Sequence, residues 1–287
     1  METIRKLFAA PETESGCQIQ DELRAAYGGN ICFPGPHADR PYTIANFVST
    51  LDGVVSFNIP GQSQGSQISG SNEADQFTMG LLRASVDAVV VGLSTFEVAG
   101  HDTLWFPESA YPKASEAYRK YRKDILKKPE QPLLAIVTGS GQVDFSFPVF
   151  HTPGQRVVIL TTEKRKKAID ARKQGDLSSV EVVALSADGH VSPTAIVKVL
   201  KEEYNVGLLL NEGGPTLFGQ FLADRAIDEL FLTVSPQIAG RGPEHKRIAL
   251  VEGTEFLPGS SPWWKLQSAR QAGSHLFLRY QINGKGR

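Results

Sequence analysis

The sequence predicts an α/β fold, with a mainly parallel sheet, helices on both faces and an antiparallel C-terminal edge. Short apolar runs alternate with amphipathic segments through most of the chain, which is typical of parallel strands joined by helices. Two consecutive strand patterns, near residues 264–269 and 275–282, have no helix between them and indicate the antiparallel edge. One domain of residues 41–287 accounts for this pattern, and residues 1–40 form an N-terminal extension that starts with a short helical piece.

Composition narrows the classes of partner. The 287 residues are 41% hydrophobic and 21% charged, as in an ordinary globular protein. Thirty basic and thirty-one acidic residues give a formal charge of -1, so we expect a small-molecule ligand, and neither nucleic acid nor a membrane, as the partner. The N-terminus lacks an apolar signal core, which predicts a cytoplasmic protein.

Cysteine and histidine usage argues against a metal centre. Cys17 and Cys32 cannot make a disulfide framework, and no Cys-x-x-Cys motif or closely spaced histidine pair occurs. We therefore expect no metal site.

The remaining elements are predicted from local patterns. A helix is predicted to begin near Asn72 with Ser71 as its N-cap, another at Pro193 after the N-cap Ser192, and a lysine-rich, solvated one over residues 113–128. A polar, glycine-rich loop is predicted over residues 58–70. The predicted strands are Tyr42–Ser49, Asp87–Gly92, Leu133–Thr138, Arg156–Leu160, Val180–Leu185, Gly207–Leu210 and Glu229–Ser235.

The most informative stretch is GLLLNEGGPTLFGQFL, residues 207–222. It predicts a buried strand, a tight turn at Gly213 and Gly214, and a helix that begins at Pro215. Backbone N–H groups of residues 213–218 could then bind a phosphate at the positive end of the helix. The alternative is that the two glycines only make a sharp connection.

Small polar residues follow several of the predicted strands. Parallel strands present their carboxyl ends at one edge of a sheet, where ligands of α/β proteins bind. The small polar residues that follow the strands therefore predict a site for an extended ligand that carries phosphate. The residues concerned are Thr50, Ser94, Thr95, Thr138, Ser140, Thr161 and Gly213.

Three segments in this order resemble the reductase domain of riboflavin biosynthesis, which has the dihydrofolate-reductase-like fold: STLDG (49–53), LLRASVDAVVVGLSTF (81–96), and LLLNEGGPTLFGQFL with DELFLTVSPQIAGRG (208–242). The resemblance covers about residues 41–284. In bifunctional members a zinc deaminase domain precedes the reductase. Residues 1–40 lack the His-x-Glu and Pro-Cys-x-x-Cys pattern of that domain, so no deaminase activity is expected.

The resemblance implies NADPH as cofactor and hydride transfer to the ribose C1 carbon of a ribosylamino-pyrimidine. It also implies a homodimer. The residues that would hold the cofactor are Thr50, Ser69, Gly92, Thr95, Gly213, Gly214, Pro215, Thr216, Leu217 and Phe218, with Ser140 and Thr161–Arg165 near the adenosine ribose and its 2′-phosphate.

On the substrate side the resemblance implies Asp52, Gln67, Arg83 and Glu212, with Asp52 and Glu212 as the catalytic candidates. Arg83 would bind the substrate phosphate through a charge-assisted fork, and Glu212 would accept hydrogen bonds from the substrate. Three of them have a structural alternative: Asp52 shapes a turn, Arg83 suits the end of its helix, and Glu212 binds backbone N–H groups.

The sequence also departs from the family. Residues 96–107 lack the arginine that commonly follows the Gly-x-x-Thr element and binds substrate phosphate, and Gln67 stands where tryptophan is frequent. Two alternatives therefore stay open: a related NADPH reductase of a pterin-like or carbonyl substrate, walled by Trp105 and Phe106, and a nucleotide-binding protein without turnover.

Overall fold

Ten strands form one sheet in the computed structural model, which describes residues 1–13, 17, 19–59 and 65–283. The sheet strands are β1 (Arg5–Ala9), β2 (Tyr42–Ser49), β4 (Ala88–Gly92), β5 (Leu133–Val137), β6 (Val157–Thr162), β7 (Val180–Ser186), β8 (Leu208–Asn211), β9 (Glu229–Val234), β11 (Trp264–Ala272) and β12 (His275–Ile282). Two short strands, β3 (Val54–Ser56) and β10 (Ile248–Ala249), pair separately.

The sheet order is β1-β11-β12-β9-β2-β8-β4-β5-β6-β7. Along this order, every neighbouring pair from β9 through β2, β8, β4, β5 and β6 to β7 is parallel. The three pairs on the other side, β1 with β11, β11 with β12 and β12 with β9, are antiparallel. This confirms the predicted fold class. The order also corrects one expectation: β11 and β12 lie inside the sheet, because β1 pairs with the outer side of β11.

Helices cover both faces of the sheet. They are α1 (Asp21–Tyr27), α2 (Gly65–Ser69), α3 (Glu73–Ser85), α4 (Leu93–Val98), α5 (Pro107–Ala110), α6 (Ser115–Lys120), α7 (Glu163–Asp170), α8 (Pro193–Glu202) and α9 (Pro215–Ala223). Two apolar clusters fill the faces, one around Phe77, Leu81 and Phe150, the other around Phe218 and Phe221. In the described part of the chain no helix is long and apolar enough to cross a membrane.

Residues before β2 pack into the first of these clusters. Ile4, Leu23, Tyr27 and Ile31 are buried there. The predicted N-terminal helical piece is instead the strand β1, since the open edge of β11 supplies its hydrogen-bond partners. A disulfide joins Cys17 and Cys32, so the two cysteines make one crosslink although they are too few for a framework.

Two further predictions near α3 need correction. Its N-cap is Asn72 rather than Ser71, because the Asn72 side chain accepts hydrogen bonds from the N–H groups of Ala74 and Asp75 while Ser71 has φ of 53°. The predicted loop over residues 58–70 ends in helix α2, and its residues 60–64 lie outside the described part of the chain.

The segment after α6 is less solvated than expected. Arg122 lies in a π-helical turn and is fully buried. Its Nη1 donates to the carbonyl oxygens of Arg83, Ala84 and Val86 at the end of α3, and its Nε donates to Pro129. Burial lowers the pKa of Arg122 to about 10, which still leaves it charged at neutral pH. The guanidinium thus satisfies carbonyl groups that a helix end leaves without partners.

Replacing Arg122 with methionine should lower the free energy of unfolding by about 3 kcal/mol, because buried carbonyl groups lose a charged donor. Arg119→Met is the control, since Arg119 is exposed one turn earlier and should change stability by no more than about 0.5 kcal/mol. Urea denaturation of both variants measures the difference. Equal unfolding midpoints would show that Arg122 is not needed there.

Candidate active site

A cleft of about 730 Å³ opens at the carboxyl ends of β2 and β8 and beside the start of α4. Asn46, Phe47 and Val48 of β2 form part of its lining. The predicted site residues in its lining are Ser69, Arg83, Ser94, Thr95, Glu212, Gly213, Gly214 and Pro215. These residues come from segments far apart along the chain, and the parallel topology brings them together at one edge of the sheet.

The turn between β8 and α9 is the glycine turn of the sequence analysis. Gly214 is the N-cap of α9 and Pro215 is its first residue, as predicted. A Cβ on Gly214 would lie 2.6 Å from Oγ1 of Thr95, and one on Gly213 would lie 2.6 Å from Cδ2 of Leu217. Close packing within the protein therefore requires both glycines.

Only some of the backbone N–H groups of this turn are available to donate a hydrogen bond to an anion. Gly213 already donates to Oδ1 of Asn211, Phe218 donates to the carbonyl of Gly214, and proline has no N–H. In the described structure, the N–H groups of Gly214, Thr216 and Leu217 have no such partner, as expected for a first helical turn. An anion at this turn would therefore have three backbone donors, fewer than the sequence analysis expected from residues 213–218.

Thr95 and Gly92 lie at the other side of the turn. Gly92 is the N-cap of α4, and Thr95 is in its first turn. Leu217 and Phe218 instead face the sheet and are buried, and the ring of Phe218 packs on Phe47 with centroids 4.8 Å apart. Their side chains hold the turn in place from behind.

Arg83 and Glu212 bind each other. Nη2 of Arg83 lies 2.7 Å from Oε2 of Glu212, and Nε donates to both carboxylate oxygens. Nη1 donates to the carbonyl of Phe106 and to Ser109. The guanidinium also lies 5.0 Å from the ring centre of Trp105. Both side chains were predicted to bind substrate, but their strongest contacts in the described structure are to one another.

This ion pair changes the charge that a ligand would meet. The ionisable residues in the described lining are Asp75, Arg83, Asp102 and Glu212. Because Arg83 and Glu212 neutralise each other, the remaining charge comes from two aspartates. The cleft also holds an unsatisfied donor among its described residues, Nε1 of the buried Trp105. A ligand with an acceptor near this ring would satisfy it.

Asp52 and Thr50 build the turn after β2. Oγ1 of Thr50 donates to Asp52, whose oxygens also accept from the N–H groups of Ala239 and Gly240. The hydrogen bond from Thr50, followed by that from Ala239, lowers the pKa of Asp52 to about 2. Asp52 is thus ionised at neutral pH and has the contacts of a turn-forming residue, the alternative left open by the sequence.

The remaining predicted residues lie elsewhere. Oγ1 of the buried Thr161 donates to the carbonyl of Thr138, while the exposed Ser140 follows β5 next to Gly141. Arg165 of α7 packs against Gly141. The predicted residues outside the described cleft lining are Thr50, Asp52, Gln67, Gly92, Thr138, Ser140, Thr161 with the rest of residues 161–165, Thr216, Leu217 and Phe218.

Asp75 is one of the cleft residues that the sequence analysis did not name as site candidates. It lies in the first turn of α3 and lines the cleft. Burial raises its pKa to about 6, although hydrogen bonding by Thr233, the charge of His275 and hydrogen bonding by Ser69 oppose the rise. The sequence showed an acid in a first helical turn, a common feature that carries no sign of the cleft.

Comparison with known proteins agrees with this architecture. The RibD C-terminal domain model matches residues 41–278. The riboflavin biosynthesis protein RibD of Aquifex aeolicus is 25% identical over 205 residues, which cover 71% of this chain and 49% of that protein. This chain thus spans about half the length of that relative.

Solved structures share the fold. RibD of Acinetobacter baumannii has a TM-score of 0.65 and 21% identity, covering 86% of this chain and 59% of its own. A pyrimidine reductase-like protein of Corynebacterium diphtheriae has a TM-score of 0.59 and 20% identity. The match covers 86% of this chain and 94% of that protein. The riboflavin biosynthesis reductase Rib7 of Saccharomyces has a TM-score of 0.54 and 16% identity. The match covers 86% of this chain and 92% of that protein.

A double-mutant cycle tests how strongly Arg83 and Glu212 are coupled. We expect Arg83→Met and Glu212→Gln to show a coupling free energy of about 2 kcal/mol in unfolding experiments, because each variant leaves a buried partner without its charge. The exposed pair Glu116 and Lys120 is the control and should give about 0.4 kcal/mol. Additive effects at Arg83 and Glu212 would contradict the expected coupling.

Proposed function

Since the chain belongs to the RibD C-terminal domain family, we propose that it is an NADPH-dependent reductase of a ribosylamino-pyrimidine in riboflavin biosynthesis. The observation that carries the proposal is the meeting of the β8–α9 glycine turn with Thr95 at a cleft of about 730 Å³. The names of the relatives, RibD and a riboflavin biosynthesis reductase, support the same reaction class.

The residues present fit a dinucleotide. The free N–H groups of Gly214, Thr216 and Leu217 offer an anion site at the start of α9, and Ser69 and Thr95 line the cleft beside it. Ser140 and Arg165, beyond the ends of β5 and β6, offer a hydroxyl and a cation for a 2′-phosphate. NADPH, when bound, supplies a hydride. The protein's part is to orient the two reactants and to exclude water.

A second candidate, a related reductase of a substrate without phosphate, is favoured by one observation. Arg83, the predicted phosphate ligand, already uses its fork on Glu212, and no other cation lines the described cleft. A dianionic phosphate would meet Asp75 and Asp102 instead. An uncharged end of the substrate fits this environment better.

The deciding experiment follows the loss of NADPH absorbance with the phosphorylated ribosylamino-pyrimidinone and with its dephosphorylated form. Turnover of the phosphorylated compound would support the riboflavin assignment. A preference for the dephosphorylated compound would support the second candidate. Binding titrations with NADPH and NADH accompany it, and nucleotide binding without any turnover would indicate a binding protein.

Arg83→Ala separates the two candidates further. If Arg83 leaves Glu212 to bind phosphate, the variant should raise the Michaelis constant for the phosphorylated compound about tenfold or more, because a charge-assisted contact is worth about 1.5–3 kcal/mol. The constant for the dephosphorylated compound should change less. An equal change for both, in a folded variant, would remove Arg83 from phosphate binding.

Gly214→Ala should weaken NADPH binding about tenfold or more, because the new methyl group overpacks against the stiff side chain of Thr95 and about 1.4 kcal/mol corresponds to tenfold. Gly259→Ala is the matched control, since a Cβ there meets nothing within 4 Å. Fluorescence titration with NADPH measures both variants. Unchanged binding by Gly214→Ala would place the cofactor away from this turn.

The proposal includes a cytoplasmic homodimer. Exposed apolar side chains that could take part in pairing are those of Ile238, Leu257 and Trp263, which are 74%, 75% and 63% exposed. Light scattering of the purified protein tests the dimer.

A further inference from the structure

Asp75 differs from the other carboxylates that line the described cleft. Glu212 is bound by Arg83, and the side chain of Asp102 is 95% exposed. Asp75 faces the cleft from α3 but is surrounded closely enough that burial is the largest influence on its pKa, which rises to about 6. A carboxyl group in this state can carry a proton near neutral pH, which a solvated aspartate cannot.

Helix electrostatics do not account for Asp75. An acid in a first helical turn stabilises the helix as a carboxylate, and N-capping is already provided by Asn72. Glu73, in the same turn, has such a role: its hydrogen bond with Lys113 lowers its pKa to about 2. The pKa of Asp75 moves in the opposite direction, so its surroundings favour the neutral acid.

A hydrogen-bond chain from the sheet fixes the surroundings of Asp75. Oδ1 of Asn72 accepts from the N–H groups of Ala74 and Asp75, so its amide nitrogen must be the group that faces Nδ1 of His275, at 3.2 Å. Nδ1 is therefore an acceptor, and Nε2 donates to the carbonyl of Ser69 at 2.9 Å.

The ring of His275 is thus held on both sides, by the Asn72 side chain and by the carbonyl of Ser69. His275 of β12 is the titratable group that faces Asp75 from the sheet, where Thr233 of β9 is a neutral neighbour. Arg83, Asp102 and Glu212 are the other charged groups in the described cleft lining.

We propose that Asp75, which lines the cleft beside Ser69, Thr233 and His275, is the proton donor of the reduction. This inference rests on the proposed function, although it holds for either substrate candidate. Reduction of a C=N bond adds a hydride at carbon and moves the π electron pair to nitrogen, which needs a proton. Asp75 gives that proton from its carboxyl oxygen, becomes a carboxylate and is protonated again by water.

The proton-holding state can be measured without turnover. Aspartate labelled with ¹³C at the carboxyl carbon is titrated by NMR, and the signal of Asp75 is assigned by its loss in Asp75→Asn. We expect a midpoint near 6, where burial places it. A midpoint near the ordinary value of 3.8 would overturn the proposal.

Single-turnover oxidation of bound NADPH tests the donor role. Asp75→Asn should slow hydride transfer about a hundredfold or more while leaving the dissociation constant of NADPH unchanged. Since the neutral acid is the active form, the wild-type rate should fall as the pH rises above about 6, and this fall should be absent in Asp75→Asn. Asp75→Glu should recover part of the rate.

Glu73→Gln is the matched control, because it removes a carboxylate from the same helical turn outside the cleft lining, and its rate and pH profile should stay those of the wild type. A rate for Asp75→Asn within threefold of the wild type, with the same pH profile, would overturn the proposal. If the wild-type protein turns over no substrate, the proposed function fails, whereas the NMR midpoint still decides whether Asp75 holds a proton.

Discussion

The buried ion pair of Arg83 and Glu212 is the interaction on which the cleft depends. It joins the last turn of α3 to the residue that follows β8, across 129 positions of sequence. The same guanidinium reaches the carbonyl of Phe106 and stacks on Trp105, so a third segment is fixed by it. Breaking such a pair leaves a charge in the protein interior, which is costly enough to keep these three walls together.

The parallel and antiparallel parts of the sheet contribute different pieces to the cleft. β8 leads into the glycine turn, and β4 leads into Thr95. The antiparallel pair β9 and β12 supplies Thr233 and His275, which interact with the cleft residue Asp75 from outside the described lining. His275 bonds to Ser69 and Asn72, so the corner between α2 and α3 is tied to that part of the sheet. β2 connects the two parts of the sheet, because it pairs with β8 on one side and with β9 on the other.

Local sequence was enough to predict most elements near the site. The apolar runs of β2, β4 and β8 and the Gly-Pro start of α9 carry their signals within a few residues, so their bounds were predicted within two positions. β1 could not be predicted this way, because a strand at a sheet edge is defined by its partner. The pairing of β3 with β10 is equally non-local, since almost two hundred positions separate the two strands.

The same distinction applies to the site. The small residues at strand exits predicted that Thr95 and Gly214 would meet, since parallel topology brings such exits together. That Arg83 and Glu212 bind each other depends on side-chain packing that spacing does not encode. The state of Asp75 depends on burial beside β9 and β12, more than 150 positions away, so its sequence context resembles that of any first-turn acid.

The place of β8 in the sheet has a consequence for how the chain folds. β8 lies between β2 and β4, although both of those strands precede it by more than 100 residues. While the chain is being synthesised, β2 and β4 therefore have a gap between them until residue 211 has emerged. Each keeps an unpaired edge in that period, and these edges are open to pairing with other chains. The central strand is added late, so the nascent protein should depend on chaperones more than a fold built from neighbouring strands does.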